Sequence, residues 1–424
     1  MKIPEKIMPR FIRLTGIAGF LAVITVHIFV VCSVALSSRP VIWKLHNDCI
    51  HREGPGADFY SVYHAGNNLR RGISPYALNR EPEFFYYPFR YLPAVAMGGR
   101  LVSLLPPEHA RIGWILVLEI LLAGLIAVLW KKINQKPLRL FASAVLLLSS
   151  PYFLELYMGQ FTFAAVALTG LGIFLPIGFV LFASAALLKV FPLAVVPAMV
   201  LRPGYRIHCL TALLSVIALS CPYFMANPDD WKTFVSANFT VTTEAHCGNF
   251  GLVHILGLIK DDAGLPLTPG DWVICMSVFR ISLLCLTTAL VFISHHRSVL
   301  PGAVALLLAH FLTYPHVWEH HMSGVIAAGA LLCVIPGKKF PHGFILVISL
   351  VMLAVPTSFA LFDTARDPEI WDPSISWPAH ARYIVPLTKV APTLMLFCLA
   401  IRLLLESNPN PFQTSPPESP DRNS

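Results

Sequence analysis

Charged residues are scarce in this chain, and that scarcity limits what the protein can be. Only 13% of the 424 residues are Asp, Glu, Lys or Arg, against roughly 25% in an average soluble domain. Hydrophobic residues make up 56% of the chain, and its mean hydropathy is +0.66. The composition therefore excludes a soluble enzyme, a disordered chain and a fibrous repeat. It predicts an all-α, polytopic integral membrane protein.

Cysteine motifs are also missing. The nine cysteines form no CxxC pair and show no zinc-ligand spacing. Most of them lie in apolar runs, where cysteine acts as a small hydrophobic residue. Cys49 and Cys247 lie instead in polar loops that we expect outside the membrane. A disulfide between them in an oxidising compartment is one hypothesis, and two free thiols are the alternative.

The basic residues stand at the ends of apolar runs, so the net charge of +8 is interpreted as a topology signal. No nucleic-acid partner is predicted. The first apolar run, from about Leu14 to Leu36, is too long for a signal peptide and lacks a convincing cleavage site. We expect it to be a retained transmembrane helix with a cytoplasmic N-terminus. The basic residues that precede it are Lys2, Lys6, Arg10 and Arg13.

The alternation of apolar runs and basic loops predicts about 12 membrane passes with both termini in the cytoplasm. Residues 1–405 then form one membrane domain, in which residues 37–111 are the first outer loop. Residues 406–424 are rich in Pro, Ser and Asn and are expected to be a disordered cytoplasmic tail. The segment Tyr91–Leu105 contains two glycines and an arginine, and is interpreted as a juxtamembrane or re-entrant helix.

Two apolar segments are unusual. Phe161–Pro176 is too short to cross the roughly 30 Å hydrocarbon core as a helix, so we expect protein around it. Ile177–Leu201 is long enough, but Lys189 followed by Pro192 predicts a break into two half-helices.

Polar side chains gather in the connections that we expect on the outer face of the membrane. Loops tolerate solvated polar groups, but they rarely combine an acid, a histidine cluster and aromatic residues without a use. This concentration predicts a site on the outer face. The residues concerned are Asp58, His64, Gln160, Lys189, Asn249, His316, Glu319, His320 and His321.

Asp58 precedes an aromatic stretch in the first outer loop. Partial burial there would raise the basicity of its carboxylate, which could then take a proton from a sugar hydroxyl. The alternative is that Asp58 is a helix N-cap, since Asp is a favoured residue at that position.

The histidines of the His316–His321 stretch can hydrogen-bond a phosphate, and Trp318 can pack against a sugar or lipid. A metal site would need three convergent ligands, and a solvated interfacial loop is the simpler alternative. Gln160 and Asn249 either contact a ligand or satisfy loop backbone groups.

Lys189 lies inside an apolar run, where a charge is costly and usually functional. It suits a phosphate at the membrane surface, and snorkelling to the interface is the alternative. Glu119 and Arg280 also lie in apolar runs. They could form a structural pair, and neither is assigned a role in catalysis.

Several segments, taken in order, resemble glycosyltransferase family 87, the polyprenyl-phosphate-mannose-dependent α-mannosyltransferases of the GT-C fold. The resemblance extends from about residue 10 to residue 405. Its motifs are Asp58, Gly72 with Tyr76, Tyr86-Tyr87-Pro88, Gly159-Gln160, Lys189-x-x-Pro192, Asn249, and Pro315-x-x-Trp318-x-His320-His321.

The resemblance implies transfer of a hexose, typically mannose, from a polyprenyl-phosphate donor to a lipid or glycan acceptor. Asp58 would be the general base, and His320 or His321 would lie near the donor phosphate. Substrate contacts are expected from the remaining motif residues, Tyr87 among them. Transfer would proceed by a single inverting displacement that requires no cofactor, since phosphate is a good leaving group.

The same resemblance implies a multi-pass protein of the cell (inner) membrane, surrounded by membrane lipids, with its active site on the periplasmic or extracellular face. Three alternatives remain at this point. They are a transporter or lipid-carrier flippase, a membrane scaffold without activity, and a GT-C enzyme with another substrate.

Overall fold

A computed structural model describes residues 8–36, 54–78, 86–239, 248–296, 298–335, 340–357 and 378–406. Cys49 and Cys247, for which a disulfide is one of two hypotheses, lie outside these residues. The same holds for residues 407–424 of the predicted tail.

The described ranges are helical, as the composition predicts, and they contain no β-strand. Their one strand-like feature is an isolated antiparallel bridge between Asn249 and Trp318. Short 3₁₀ turns occur at Phe191–Val195, Pro203–Tyr205 and Glu319–His321. The α-helices are α1 Met8–Leu36, α2 Ala57–Arg70, α3 Pro93–Val102, α4 Pro107–Lys132, α5 Lys136–Leu148, α6 Ser150–Met158, α7 Thr162–Phe174, α8 Gly178–Leu188, α9 Val196–Val200, α10 Arg206–Ala226, α11 Pro228–Phe239, α12 Leu252–Asp262, α13 Pro269–Ile293, α14 Val299–Thr313, α15 Met322–Leu332, α16 Phe340–Ala354 and α17 Ala379–Glu406.

Six helical segments in the described ranges are long and apolar enough to cross a membrane. They are Ala18–Leu36, Pro107–Lys132, Lys136–Met158, Pro203–Ala226, Pro269–Ile293 and Ala379–Glu406. Shorter apolar helices accompany them, and the predicted number of about 12 passes remains a prediction. Large apolar side chains point outward from these helices, as shown by Phe29 at 63% and Ile120 at 70% exposure. Such a surface suits lipid, and the protein is membrane-embedded.

The centre of the bundle is formed by short helices that have no exposed face. Every residue of α6, α14 and α15 is buried, and so is α7 from Thr162 to Gly172. This arrangement confirms that protein surrounds the short segment Phe161–Pro176. Because these helices are enclosed, the turns at their ends are held by neighbouring helices on several sides.

The chain breaks at Lys189, as the Lys-Pro pattern predicts. Helix α8 ends at Leu188, and Lys189 is extended with φ −143° and ψ 139°. A 3₁₀ turn containing Pro192 then leads into α9. Proline removes a backbone donor and restricts the residue before it, which explains why one long helix does not form.

Helix α3 is the core of the Tyr91–Leu105 segment and packs against α2. A methyl group added at Gly66 of α2 would lie 2.1 Å from the backbone carbon of Gly99 in α3. Small residues therefore let the two helices approach closely. Through this contact α3 supports the helix that carries Asp58.

The predicted pairing of Glu119 with Arg280 is wrong. Glu119 Oε2 contacts His27 Nε2 at 2.9 Å, and Tyr152 donates to Glu119 Oε1 at 3.0 Å. Arg280 lies over the ring of Tyr314, 6.0 Å from its centroid. Hydropathy identifies both residues as charges within apolar helices, but it does not determine which helices face each other.

Candidate functional site

A cavity of about 590 Å³ opens among the turns that connect the central helices. Most of the predicted site residues line it, although they are far apart in sequence. They are Asp58, Tyr87, Gln160, Lys189, His316, Trp318, His320 and His321, together with Glu319. Asn249 and His64 do not line it.

Asp58 lies at the second position of α2, where its side chain is 9% exposed. The alternative that it caps the helix is wrong, because the N-cap is Gly56 and no side chain makes a capping bond there. Gly56 has φ 81°, and its N–H donates to the carbonyl of Tyr157 at 2.7 Å. This bond fixes the start of α2 against the end of α6, so Asp58 is held beside the Gly159-Gln160 turn.

The Asp58 carboxyl group is partly satisfied and partly available. Gln160 hydrogen-bonds its side chain, and Oδ2 has no partner among the residues that the structure describes. Burial raises the pKa of Asp58 to about 6, against the opposing effects of Lys189, Gln160 and Arg90. A carboxylate with this pKa is ionised at neutral pH and accepts a proton more readily than an exposed aspartate.

Gln160 belongs to a tight turn between α6 and α7. Gly159 has φ 67°, and a methyl group there would lie 2.4 Å from Cβ of Phe59. The side-chain oxygen of Gln160 accepts from the N–H of Phe161 at 3.0 Å, and its backbone carbonyl accepts from Trp114 at 3.2 Å. Gln160 thus satisfies loop backbone, as one alternative expected, and also lines the cavity.

Lys189 reaches into the same cavity from the break after α8. Its ammonium group donates to Oγ1 of Thr162 at 3.1 Å and lies 5.8 Å from the ring centroid of Tyr91. Burial lowers its pKa, while Asp58 and Glu155 oppose that change. The ammonium group therefore lies within electrostatic reach of two carboxyl groups, and a ligand phosphate in the cavity would compete with them for it.

The histidine turn, His316–His321, forms another wall. The two rings of His320 and His321 lie 4.3 Å apart between centroids, and His321 Nδ1 accepts from the Trp318 N–H at 2.9 Å. Burial and then Lys189 lower the pKa of His320 to about 3, and burial lowers the pKa of His321 well below its ordinary value. Neutral imidazoles donate one hydrogen bond each, and Nε2 of His320 has no partner in the described part of the chain.

Within the described ranges, no group of three or more His, Cys, Asp or Glu side chains could hold a metal ion.

Asn249 supports the histidine turn from behind. Its Nδ2 donates to the carbonyl of Pro315 at 2.8 Å, and its Oδ1 accepts from the N–H groups of Gly251 at 3.0 Å and Val317 at 3.2 Å. The side chain is 3% exposed. Its amide is thus used to hold the turn, which explains its absence from the cavity wall.

His64 lies one and a half turns after Asp58 on α2 and is also outside the wall. Its ring stacks on Tyr86, with 4.2 Å between centroids. This contact packs the segment that precedes α3 against α2.

Glu319 is held by a buried ion pair that the sequence analysis did not predict. Lys389 Nζ of α17 lies 3.7 Å from Glu319 Oε1, and both side chains are 1% exposed. Lys389 also donates to the carbonyls of Met352, Leu353 and Val355 at the end of α16. Glu319 Oε1 in turn accepts from the Thr357 N–H at 2.9 Å. The pair ties the histidine turn to α16 and α17.

Glu155 was also missed. It is fully buried, and its carboxylate accepts hydrogen bonds from the Phe163 N–H at 2.6 Å and from the hydroxyl of Ser323. It connects α6, α7 and the start of α15. The signal was present, since an acid in an apolar run is costly unless it has partners.

The chain matches the model of a known protein family. The model of glycosyltransferase family 87 matches residues 84–318, which is more than half of the chain. No curated protein and no solved structure matches. The matched range includes Gln160, Lys189 and Trp318, whereas Asp58, His320 and His321 lie outside it.

Proposed function

The chain belongs to glycosyltransferase family 87, and from this premise we propose which sugar transfer this membrane glycosyltransferase catalyses. The donor is a polyprenyl-phosphate-linked hexose, with mannose as the expected sugar. The acceptor is a lipid or a glycan.

One observation carries the proposal. Oδ2 of the buried Asp58 carboxylate has no hydrogen-bond partner within the described ranges, and Asp58 shares a cavity with the ammonium of Lys189 and the imidazole of His320. Transfer of a sugar from a phosphate leaving group requires a base for the acceptor hydroxyl and positive charge beside the phosphate, in a space that holds little water. Arrangements of this kind are more common at active sites than elsewhere.

The proposed reaction is a single inverting displacement. Asp58 takes the proton of the acceptor hydroxyl as the oxygen forms its bond to the anomeric carbon. The bond from that carbon to the phosphate oxygen breaks, and its electron pair stays on the phosphate. Lys189 and His320 stabilise this charge, and His321 orients the turn through its bond to Trp318. Trp318 and Tyr87 provide aromatic surfaces for the sugar.

The location is part of the proposal. We infer a GT-C arrangement in the cell (inner) membrane, with both termini in the cytoplasm and the cavity opening to the periplasmic or extracellular side. The basic loops of the sequence support this orientation. Cysteine substitutions at the exposed Arg71 and Lys131 are made in a chain whose nine native cysteines are replaced by alanine. Tested with a membrane-impermeant thiol reagent, they distinguish the two sides of the membrane. Labelling of Arg71→Cys alone in intact cells is expected, and labelling of Lys131→Cys alone would reverse the orientation.

The function itself is tested with purified protein in detergent. The protein is incubated with radiolabelled polyprenyl-phosphate-mannose, a lipid extract and no metal. Appearance of label in a new lipid or glycan product is expected. A transporter or flippase needs two sealed compartments, so turnover that occurs only in sealed vesicles, without a new glycoside, would contradict the proposal. A matched incubation with polyprenyl-phosphate-glucose tests the choice of sugar.

A further inference from the structure

Arg280 is a charged residue in the middle of α13, one of the helices long enough to cross the membrane. An arginine in such a helix is costly and is found where it faces a cavity or a partner. Among the residues that the structure describes, it makes no hydrogen bond or ion pair, and it lies over the ring of Tyr314. Its side chain lines the cavity that contains Asp58 and Lys189. This charge therefore faces a space that a ligand can occupy.

The cavity is apolar beside Arg280. Leu284 follows Arg280 by one turn of α13. Phe191, whose ring stacks on His310 with 4.9 Å between centroids, and Leu193 line the cavity as well. The outer faces of the same helix carry exposed apolar residues, with Val278 at 57% and Ile281 at 62% exposure. One helix thus separates this end of the cavity from a lipid-facing surface. An apolar lining next to lipid suits a hydrocarbon chain, and a cation at its border suits the headgroup of that chain.

Arg280 and Lys189 differ in how their charges are balanced. Lys189 interacts electrostatically with both Asp58 and Glu155, whereas Arg280 has no carboxylate partner in the described ranges. Lys189, Arg280 and His310 all line the same cavity. With Arg90, three cations therefore line the cavity. The charges of Lys189 and Arg90 both act on Asp58, whereas Arg280 is free to pair with another anion.

The proposed transfer reaction creates a need for that further cation. A sugar phosphodiester carries one negative charge. When the bond to the sugar breaks, the electron pair remains on the phosphate, which becomes a monoester with about two negative charges near neutral pH. Lys189 and Arg90 also interact with the Asp58 carboxylate, so a third cation helps to balance both phosphate charges. A guanidinium group binds two phosphate oxygens at once.

We propose that Arg280 binds the phosphate of the lipid-linked donor and stabilises the second negative charge, while the lipid chain lies along Phe191, Leu193 and Leu284. This inference rests on the proposed function, since it assigns a further binding residue to that site. It also predicts that the lipid product, a phosphate monoester, binds more tightly than the uncharged alcohol.

Binding measurements separate this inference from the reaction itself. Purified protein in phosphatidylcholine nanodiscs is titrated with farnesyl phosphate, its methyl diester and farnesol. Arg280→Gln is expected to weaken farnesyl phosphate binding by about tenfold to a hundredfold, the range of a lost charge-assisted contact. Binding of the diester should weaken less, and that of farnesol should not change. Arg280→Lys should keep the preference for the monoester, and Arg100→Gln, an exposed change on α3, should bind like the wild type.

Several results would overturn the inference. One is equal affinity of the wild type and a folded Arg280→Gln for farnesyl phosphate. Another is loss of farnesol binding in proportion to the loss of phosphate binding, which would indicate a distorted cavity. If phosphatidylglycerol nanodiscs abolish the effect of Arg280→Gln, the residue binds bulk lipid headgroups instead. If the wild type transfers no sugar but shows the Arg280-dependent preference, the phosphate site stands and the proposed function fails.

Discussion

Replacing Lys389 by methionine tests how the histidine turn is held in place. Lys389 and Glu319 are each 1% exposed, so solvent screens their interaction very little. Removal of one partner from a buried pair leaves the other charge without compensation and costs roughly 3–5 kcal/mol. The total stability of a protein is only about 5–15 kcal/mol. We therefore expect a large loss of thermal stability in Lys389→Met. We also expect less efficient use of the sugar donor, because the turn that carries His320 and His321 is no longer fixed.

A double variant separates the cost of a buried charge without a partner from the cost of the lost contacts. Glu319→Leu with Lys389→Met removes both charges, and replacement of a buried pair by apolar residues is often neutral. Part of the loss should remain, about 1–3 kcal/mol, because the carbonyls at the end of α16 lose their donor. Stability is measured as the fraction of protein that stays monodisperse after heating in detergent. The kinetics of sugar transfer are measured on the same variants.

The matched control lies on the same helix. Arg402 pairs with Glu406 at 2.9 Å, but the two side chains are 48% and 40% exposed. Arg402→Met should cost roughly 0–1 kcal/mol. The reasoning would be refuted if Lys389→Met were as stable as Arg402→Met, or if the double variant were as unstable as the single one.

Two further predictions concern Asp58 and the turn beside it. Since the pKa of Asp58 is raised to about 6 and the base must be ionised, kcat/KM should fall as pH drops below about 6 and level off above it. The donor phosphodiester does not titrate in this range, so a flat profile between about pH 5 and pH 8 would contradict the assignment. Gly159→Ala should strongly reduce folded, active protein, because a methyl group would meet Phe59 at 2.4 Å in a backbone with φ 67°. Gly264 has a similar φ of 61°, and a methyl group there would have nothing within 4 Å. Gly264→Ala should therefore cost only the roughly 1–2 kcal/mol of backbone strain. Equal yields of the two variants would argue against close packing at Gly159.

Hydropathy was sufficient to predict the helical membrane fold and the break at Lys189. Both depend on local properties, namely long apolar runs and the missing donor of Pro192. The enclosed position of α7 followed from its length alone. The concentration of polar residues in presumed outer connections identified side chains that line one cavity.

Pairing between helices could not be predicted in the same way. Glu119 contacts His27 rather than Arg280, and Lys389 lies 70 residues from Glu319 in sequence. A single sequence shows that each buried charge is costly, but it does not identify the partner of that charge. The N-cap alternative for Asp58 failed for a related reason, because Gly56 begins the helix through a bond to Tyr157 of another helix.

The central claim is that the Asp58 carboxylate removes the acceptor proton, and an Asp58→Asn variant tests it most directly. The amide keeps the size of the side chain and its contact with Gln160 but accepts a proton poorly. Transfer from polyprenyl-phosphate-mannose is measured together with farnesyl phosphate binding in the same preparation. The account predicts that transfer falls by at least about a hundredfold while binding is retained. Transfer at the wild-type rate by a variant that binds normally would contradict it.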